Sequence, residues 1–277
     1  MNRSMEGPSL VILREELEPF RGQKVVEVTG NTKQPKDLLK GRQLARVETW
    51  GKVLFLTFTS PRKAPIVTKT HFLMFGSYRI NEPKPERAPR LKLKFKNGTV
   101  YFYSCSIQFD ADEYLQSVDR QADIMSDQWK MKHVVKLMKA KKESFLCDLF
   151  LDQKVFAGSG NIVKNEVLFN IRCHPLTKLS QVPPADWPKI AQAIHQYGEN
   201  FYEWKKLFEL RRHWQVYRKS SCPVCGTKIV RTRTGKYQRG SFFCPRCQNP
   251  KARIKSLKVF PVVPIEAKAV SEKRFDH

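Results

Sequence analysis

Four cysteines stand in two pairs, Cys222-Pro-Val-Cys225 and Cys244-Pro-Arg-Cys247, separated by residues 226–243. Two Cys-x-x-Cys knuckles at this separation can bring four thiolates onto one tetrahedral Zn²⁺, which organises a module too small for a core of its own. The cofactor expected is one structural zinc ion, held by Cys222, Cys225, Cys244 and Cys247. The intervening stretch, Thr227 to Phe243, is rich in Arg and Lys and predicts a β-hairpin turning near Thr234-Gly235. Such a hairpin can lay guanidinium groups against phosphates. A zinc ribbon also suits protein–protein contacts, so the metal alone does not name the activity.

Two other places hold residue types with chemical potential. Gly158-Ser159-Gly160-Asn161 opens a helical stretch, and a glycine-rich entry to a helix N-terminus suits an anion as well as an ordinary cap. Glu6 precedes Gly7-Pro8 at the head of an apolar segment, where an acid by itself reads as a stabiliser of a helix N-terminus. Cys105, Cys147 and Cys173 stand alone, outside any Cys/His arrangement, and read as small core residues. Isolated thiols beside a metal site fit a reducing compartment.

The 277 residues can bury a sizeable core, and a hydrophobic share of 41% is that of a globular chain. Lys and Arg total 51 against 26 Asp and Glu, a formal net charge of +25, which calls for an anionic partner. The basic residues are spread between apolar segments along the whole chain, which favours a broad cationic face and nucleic acid over an anionic membrane. Neither a transmembrane run nor a signal-peptide core is found, so an intracellular protein without a membrane partner is expected.

The elements that must position these groups follow from periodicity. Leu10, Leu13 and Leu17 predict a helix after Gly7-Pro8. From Val25 to about Tyr103 the pattern is β: residues 25–29, 43–58 folded at Trp50-Gly51, 66–80 and 90–103. In the last, Asn97-Gly98 predicts a two-residue turn with Phe95 opposite Val100 and Leu93 opposite Phe102. Helical spacing then marks 129–142, 143–152, 161–170, 184–197 and 200–212. The expected fold is α+β and multidomain: an N-terminal antiparallel β-sandwich over 1–126, a helical domain over 127–216, the zinc finger over 217–249 and a basic, disordered tail over 250–277.

Several ordered motifs then converge: Glu6-Gly7-Pro8, Trp50-Gly51-Lys52, His71-Phe-Leu-Met74-Phe-Gly76, Gly158-Ser-Gly160-Asn161-Ile-Val-Lys-Asn165-Glu166, and Gln238-Arg239 leading into Cys244-Pro-Arg-Cys247-Gln248. From Glu6 to Gln248 the chain resembles the formamidopyrimidine-DNA glycosylase and endonuclease VIII family, in particular its endonuclease VIII-like branch. The resemblance implies a β-sandwich and a helix–two-turn–helix domain with zinc finger that enclose a DNA-binding cleft. It assigns Lys52, Asn161 and Arg239 to DNA phosphates around a flipped nucleotide, where Lys52 alone would read as a solvated hairpin lysine. Met74 matches the wedge that fills the gap in the duplex, where residue type alone would place it in a core. Phe109 keeps an aromatic wedge, but Ile107-Gln108-Phe109 stands where many members have Arg-Arg-Phe, which removes a donor fork toward the opposite base. His71 reads as structural.

The family normally reads Met-Pro-Glu-Gly-Pro at its N-terminus and uses the proline amine as nucleophile; here Met5 precedes Glu6. The chemistry implied is attack of a neutral amine on the sugar C1′, with Glu6 moving protons. Translation from Met5 would put the Met5 α-amine in the nucleophile's position, and with residues 2–4 present Lys52 is the substitute. The resemblance thus implies a base-excision repair glycosylase with AP lyase activity, acting as a monomer on damaged double-stranded DNA in a bacterial cytoplasm or nucleoid. Two rivals stand beside it: a damaged-DNA-binding protein that has lost the catalytic amine, and a zinc-ribbon protein of transcription or translation.

Overall fold

The computed structural model describes residues 5–249; the tail expected over 250–277 lies outside them. The N-terminal half is built on one continuous antiparallel ladder of six strands in the order β1-β5-β6-β4-β3-β2. These are β1 (Glu27–Thr29), β2 (Gln43–Trp50), β3 (Val53–Ser60), β4 (Lys63–Ile80), β5 (Leu91–Phe95) and β6 (Gly98–Gln108). Strand β4 belongs to both halves of the sandwich, because it pairs with β3 through His71 and with β6 from Lys69 to Ile80. Alternation sends Leu54, Leu56 and Phe58 to the main core and Val53 and Phe55 to a smaller one against Leu115 of α2 (Asp112–Ser117).

The β5–β6 hairpin differs from its expected register. Gly98 is the first residue of β6 and pairs with Phe95, so Leu93 faces Val100 and Leu91 faces Phe102. Gly98 has φ +153°, and a Cβ there would lie 2.4 Å from Asn81 Oδ1, so the glycine answers a close approach inside the strand rather than the second position of the turn.

Helix α1 (Gly7–Leu17) opens with Pro at its first turn and buries Leu10, Leu13 and Leu17 in the β core. Its other face meets the helical half, where Lys205 Nζ donates to Ser9 Oγ at 2.6 Å and Lys206 Nζ lies 3.2 Å from Glu15 Oε2. That half comprises α3 (Met131–Lys139), α4 (Leu146–Leu149), α5 (Asn161–Asn170) and α6 (Trp187–Lys206). Helix α5 has the expected bounds. The two helices expected over 184–197 and 200–212 are instead the single α6, which ends at Lys206, and the helix expected over 143–152 contracts to α4.

Strands β7 (Val230–Thr234) and β8 (Arg239–Phe243) form the finger hairpin. The finger shares a core with the helices: Ile229, Phe242 and Cys244 join the cluster that holds Phe169 and Tyr197.

Candidate active site and nucleic-acid interface

The two halves meet backbone to backbone at glycines. Gly7 N donates to Gly158 O at 2.8 Å, and a Cβ on Gly7 would sit 2.8 Å from Gly158 Cα. The Trp50-Gly51-Lys52 turn is fixed from the same side, since Gly51 N donates to Asp123 Oδ2 at 2.8 Å. Gly51 has φ +54° and its missing side chain leaves room for Ala157 and Gly158. Asp123 also accepts from Met125 N at 2.9 Å, so one carboxylate joins the hairpin turn to the start of the helical half.

Glu6 lies in this junction, 2% exposed. Its carboxylate accepts the N–H groups of Ile162 at 2.8 Å and Val163 at 3.3 Å, the first turn of α5. The glycine-rich helix entry does attract an anion, as its sequence suggests, but the anion is Glu6. Glu6 makes no side-chain cap for its own helix α1. A Cβ on Gly160 would come within 2.3 Å of Glu6 Cδ, so Gly160 gives the carboxylate its space.

Three lysines feel the charge of Glu6. Burial pulls Lys52 below the ordinary lysine range; Glu6 opposes that shift and Arg239 adds to it. Burial brings Lys164 down to about 8 and Lys205 down to about 8, with Glu6 opposing both. A lysine in that range has a neutral fraction near neutral pH, the state in which an amine attacks carbon. His71 stands across from Val53 and is held below the usual histidine range by burial, then by Lys52 and Lys69. That keeps it neutral, as befits a structural residue.

Arg239 is exposed at the start of β8, and the hairpin beneath it is anchored from the helical half. Asp148 of α4 accepts Lys236 N at 3.0 Å and Tyr237 N at 3.4 Å. Lys164 Nζ donates to Gly240 O at 3.1 Å and Ser241 Oγ at 2.9 Å, and Asn165 bonds both Gly240 O and Phe242 N. Glu166, fully buried, accepts Gln215 N, Val216 N and Tyr217 N at 2.7–3.1 Å; burial pushes its carboxyl up to about 7 against those bonds. Asn161, Arg239, Arg231, Arg233 and Met74 line a shared concavity of about 570 Å³. Tyr217, Tyr237 and Phe242 line it as well.

Met74 is 67% exposed, which removes the reading of it as core. Phe109 is half-buried against the β core and is not among the residues lining that concavity. Met5, next to Glu6, is partly buried against the same core. Sequence reasoning did not single out Asp123, Asp148 or Lys205, and it met Lys164 and Glu166 only inside the motif that runs from Gly158, with no role given to them. Their partners lie far away in sequence, and the one local signal is a polar residue interrupting an apolar helix, as Lys164, Asn165 and Glu166 do in α5.

The four cysteine sulfurs lie within 4.8 Å of one another, with Cys222–Cys247 at 3.8 Å and Cys225–Cys244 and Cys225–Cys247 at 3.5 Å. A zinc–sulfur bond of about 2.3 Å implies sulfurs about 3.8 Å apart in a tetrahedron, so the set fits one structural zinc ion. Cys105 and Cys173 are buried and pushed up to about 12, inert as core thiols. Among the described residues no helix is long and apolar enough to cross a membrane.

Three family models match the chain in order: the formamidopyrimidine-DNA glycosylase N-terminal domain over 5–110, the H2TH domain of the same enzyme over 121–199, and the zinc finger found in FPG and IleRS over 220–250. Endonuclease 8-like 3 of Bos taurus is 29% identical over 88% of this chain, and the chain spans 41% of that relative's length. Formamidopyrimidine-DNA glycosylase of Exiguobacterium sibiricum is 28% identical over 76% of this chain and 83% of its own length. These sources are eukaryotic and bacterial, so similarity does not establish the expected bacterial origin. Among solved structures, a viral DNA glycosylase aligns with a TM-score of 0.78 at 21% identity, covering 88% of this chain and 99% of its own. A Lactococcus lactis Fpg in complex with abasic-site DNA aligns at 0.73 with 21% identity and the same coverage.

Proposed function

The chain belongs to the formamidopyrimidine-DNA glycosylase family, and from that premise we propose that it is a base-excision repair glycosylase that removes oxidised bases from double-stranded DNA and then cleaves the abasic strand. The observation that carries the reading is the carboxylate of Glu6, buried in the junction between the halves, held by Ile162 N and Val163 N, and near enough for its charge to act on Lys52, Lys164 and Lys205. An acid fixed by two backbone donors beside amines of lowered proton affinity is a proton shuttle in place.

The chemistry needs a neutral amine. In a chain that starts at Met5, the Met5 α-amine adjoins Glu6, and an α-amino group titrates near 8, so part of it is neutral at pH 7. The amine attacks C1′ as the C1′–base bond breaks, and the Glu6 carboxylate takes a proton from the attacking amine and passes it to the leaving base. The C1′–O4′ bond then opens as the nitrogen lone pair forms the C=N bond and O4′ takes a proton from water, which gives the protonated Schiff base, and removal of a C2′ proton expels the 3′ phosphate. Lys52 is the substitute nucleophile when residues precede Met5. Lys52, Asn161 and Arg239 hold phosphates on either side of the extruded nucleotide, and Met74 fills the gap. The working unit is a monomer.

An incision assay tests this on duplexes carrying an oxidised pyrimidine, a formamidopyrimidine or an abasic site, with Glu6→Gln as control. Borohydride trapping with chains starting at Met1 and at Met5, followed by mapping of the cross-link, identifies the amine. Product from wild type and none from Glu6→Gln supports the reading. Salt-dependent binding without product or adduct from either start supports the alternative favoured by Met5 in the proline's place, a non-catalytic damaged-DNA-binding protein.

A further inference from the structure

Helix α3 buries Val134 and Met138 against α6, and its opposite side carries Lys132, Lys136 and Lys139, all exposed. At 3.6 residues per turn the three lysines fall within an arc of about 60° and form one row about 10.5 Å long. No ion pair among the described residues neutralises the row. The one carboxylate three or four positions from any of them, Glu143, lies past the end of α3 and pairs with Lys178 at 3.5 Å. The acids that the helix and its following turn do reach are taken, Asp119 by His133 at 2.6 Å and Asp152 by Lys141 at 3.5 Å. Like charges three and four apart destabilise a helix. The helix dipole favours Lys136 and Lys139 in the last turn but disfavours Lys132 in the first. The fold as a whole gains nothing from the row, which points to an anionic partner outside it.

The chemistry of the row identifies that partner. It is made of lysines alone, whereas the concavity beside Asn161 is walled by Arg218, Arg231, Arg233 and Arg239. Arginine forks fix the orientation of what they hold, while ammonium groups are hydrated point charges that attract phosphates without fixing a register. Along one DNA strand the phosphates advance about 3.4 Å per nucleotide, so a row of this length faces about three of them. None of the three lysines lines the concavity, so a duplex seated there leaves them free for another.

We propose that Lys132, Lys136 and Lys139 form a second phosphate-binding surface, separate from the cleft, which holds an undamaged duplex segment while the cleft holds the lesion. This second site rests on the DNA-repair reading above. It reads neither sequence nor damage, and it takes no part in the reaction at the sugar.

The test starts from a one-to-one complex of the full zinc-loaded chain with a short duplex that carries a stable abasic-site analogue and a donor dye. An undamaged duplex with an acceptor dye is titrated in, and energy transfer reports both duplexes on one chain. Wild type is expected to show transfer at low salt. The combined Lys132→Gln, Lys136→Gln and Lys139→Gln variant should bind the second duplex about tenfold or more weaker, and its slope of log K against log salt should flatten by about 2.7, or three phosphates. Its affinity for the abasic duplex and its melting temperature should not fall, and arginine at all three positions should keep the transfer. If the glutamine variant captures the second duplex as wild type does, or wild type binds the abasic duplex and shows no transfer, the second site falls and the DNA reading stands. A glutamine variant that loses affinity for the abasic duplex itself would place the row in the cleft and also overturn the second site. If wild type shows no salt-dependent binding to either duplex, both readings fall together.

Discussion

Glu6 Oε1 accepts the backbone N–H of Ile162 at 2.8 Å across 156 positions of sequence, so the acid that begins the β half is held by a helix of the other half. The bond couples the placement of the acid to the closure of the two halves. It also uses the positive end of α5 on a protein carboxylate, which leaves phosphate binding to side chains further out.

Gly160→Ala tests this coupling. The added methyl carbon would lie 2.3 Å from Glu6 Cδ, so the carboxylate must leave its two donors. Incision is expected to fall by two orders of magnitude or more, in the range seen when a positioned acid–base group is lost. DNA affinity, which we propose rests on Lys52, Asn161 and Arg239, is expected to change less than threefold, or about 0.6 kcal/mol. Equal losses in both would mean that Gly160 supports the interface as a whole and not Glu6 in particular.

The support of Arg239 predicts a distinct effect of Asp148. Its carboxylate holds the Lys236 and Tyr237 amides, and a Cβ on Gly235 would meet it at 2.2 Å. Asp148→Ala frees the turn that precedes Arg239 while zinc stays bound. Affinity for DNA should drop by roughly tenfold, the scale of one or two charge-assisted hydrogen bonds. The slope of log K against log salt should shrink by about one, as in Arg239→Ala, because one phosphate contact is lost in either case. Arg239→Ala on top of Asp148→Ala should then add little; additive losses would mean the two act independently.

How much of this was legible depended on the range of the interaction. The four cysteines and the bounds of α5 were, because ligand spacing and the glycine-rich entry are local. The expected gap between 184–197 and 200–212 falls at Gly198, where a Cβ would press on Ile124 Cδ1 at 3.2 Å and Met125 Sδ at 3.3 Å, so the glycine permits close packing inside a continuous α6. The helical spacing of 143–152 was overridden by a long-range pairing, with Leu146 N bonded to Thr177 O and Cys147 N to Pro175 O. Glu6 was singled out by its motif, yet its partner at Ile162 left no mark near it in sequence. Phe75 passed as an ordinary strand residue, because alternation cannot announce a bulge that turns three successive side chains, Leu73 to Phe75, outward.

Zinc removal separates the finger from the β half. The sulfurs of Cys222 and Cys244 are buried, and Phe242 and Ile229 join the helical core, so loss of the ion loosens β7 and β8 and the packing around them. One zinc per chain is expected by elemental analysis. Chelation, or Cys244→Ser, should abolish binding to the abasic duplex and lower the melting temperature. The antiparallel ladder of the β half, with its own core, should keep its far-ultraviolet dichroism. Retained DNA affinity in the zinc-free chain would detach Arg239 from the binding role assigned to it.

Lys164, like Lys205, contributes to the pH dependence of stability. Its amine is buried between α5 and β8 and brought down to about 8, against about 10.4 for a lysine in an unfolded chain. Between these values the unfolded state binds the proton and the folded state does not, so stability rises with pH from about 8 to about 10. Below about 8 both states are protonated and this group contributes no slope. The full difference corresponds to about 3 kcal/mol. The buried thiols of Cys105 and Cys173 oppose the trend above about 9, as do the half-buried Tyr78 and the buried Tyr197 above about 10, since burial raises each and the unfolded state then ionises first. The Lys164 share is read as the difference between wild type and Lys164→Met in denaturant melts of the zinc-loaded chain at intervals from pH 7 to 10. Lys164→Met, which leaves Gly240 O bonded to Asn165 and Ser241 Oγ to Thr234, should remove this share of the slope while Lys205 keeps its own, and raise stability at pH 7. A Lys164→Met profile that runs parallel to wild type would show that the slope belongs to another group and that Lys164 keeps an ordinary proton affinity under β8.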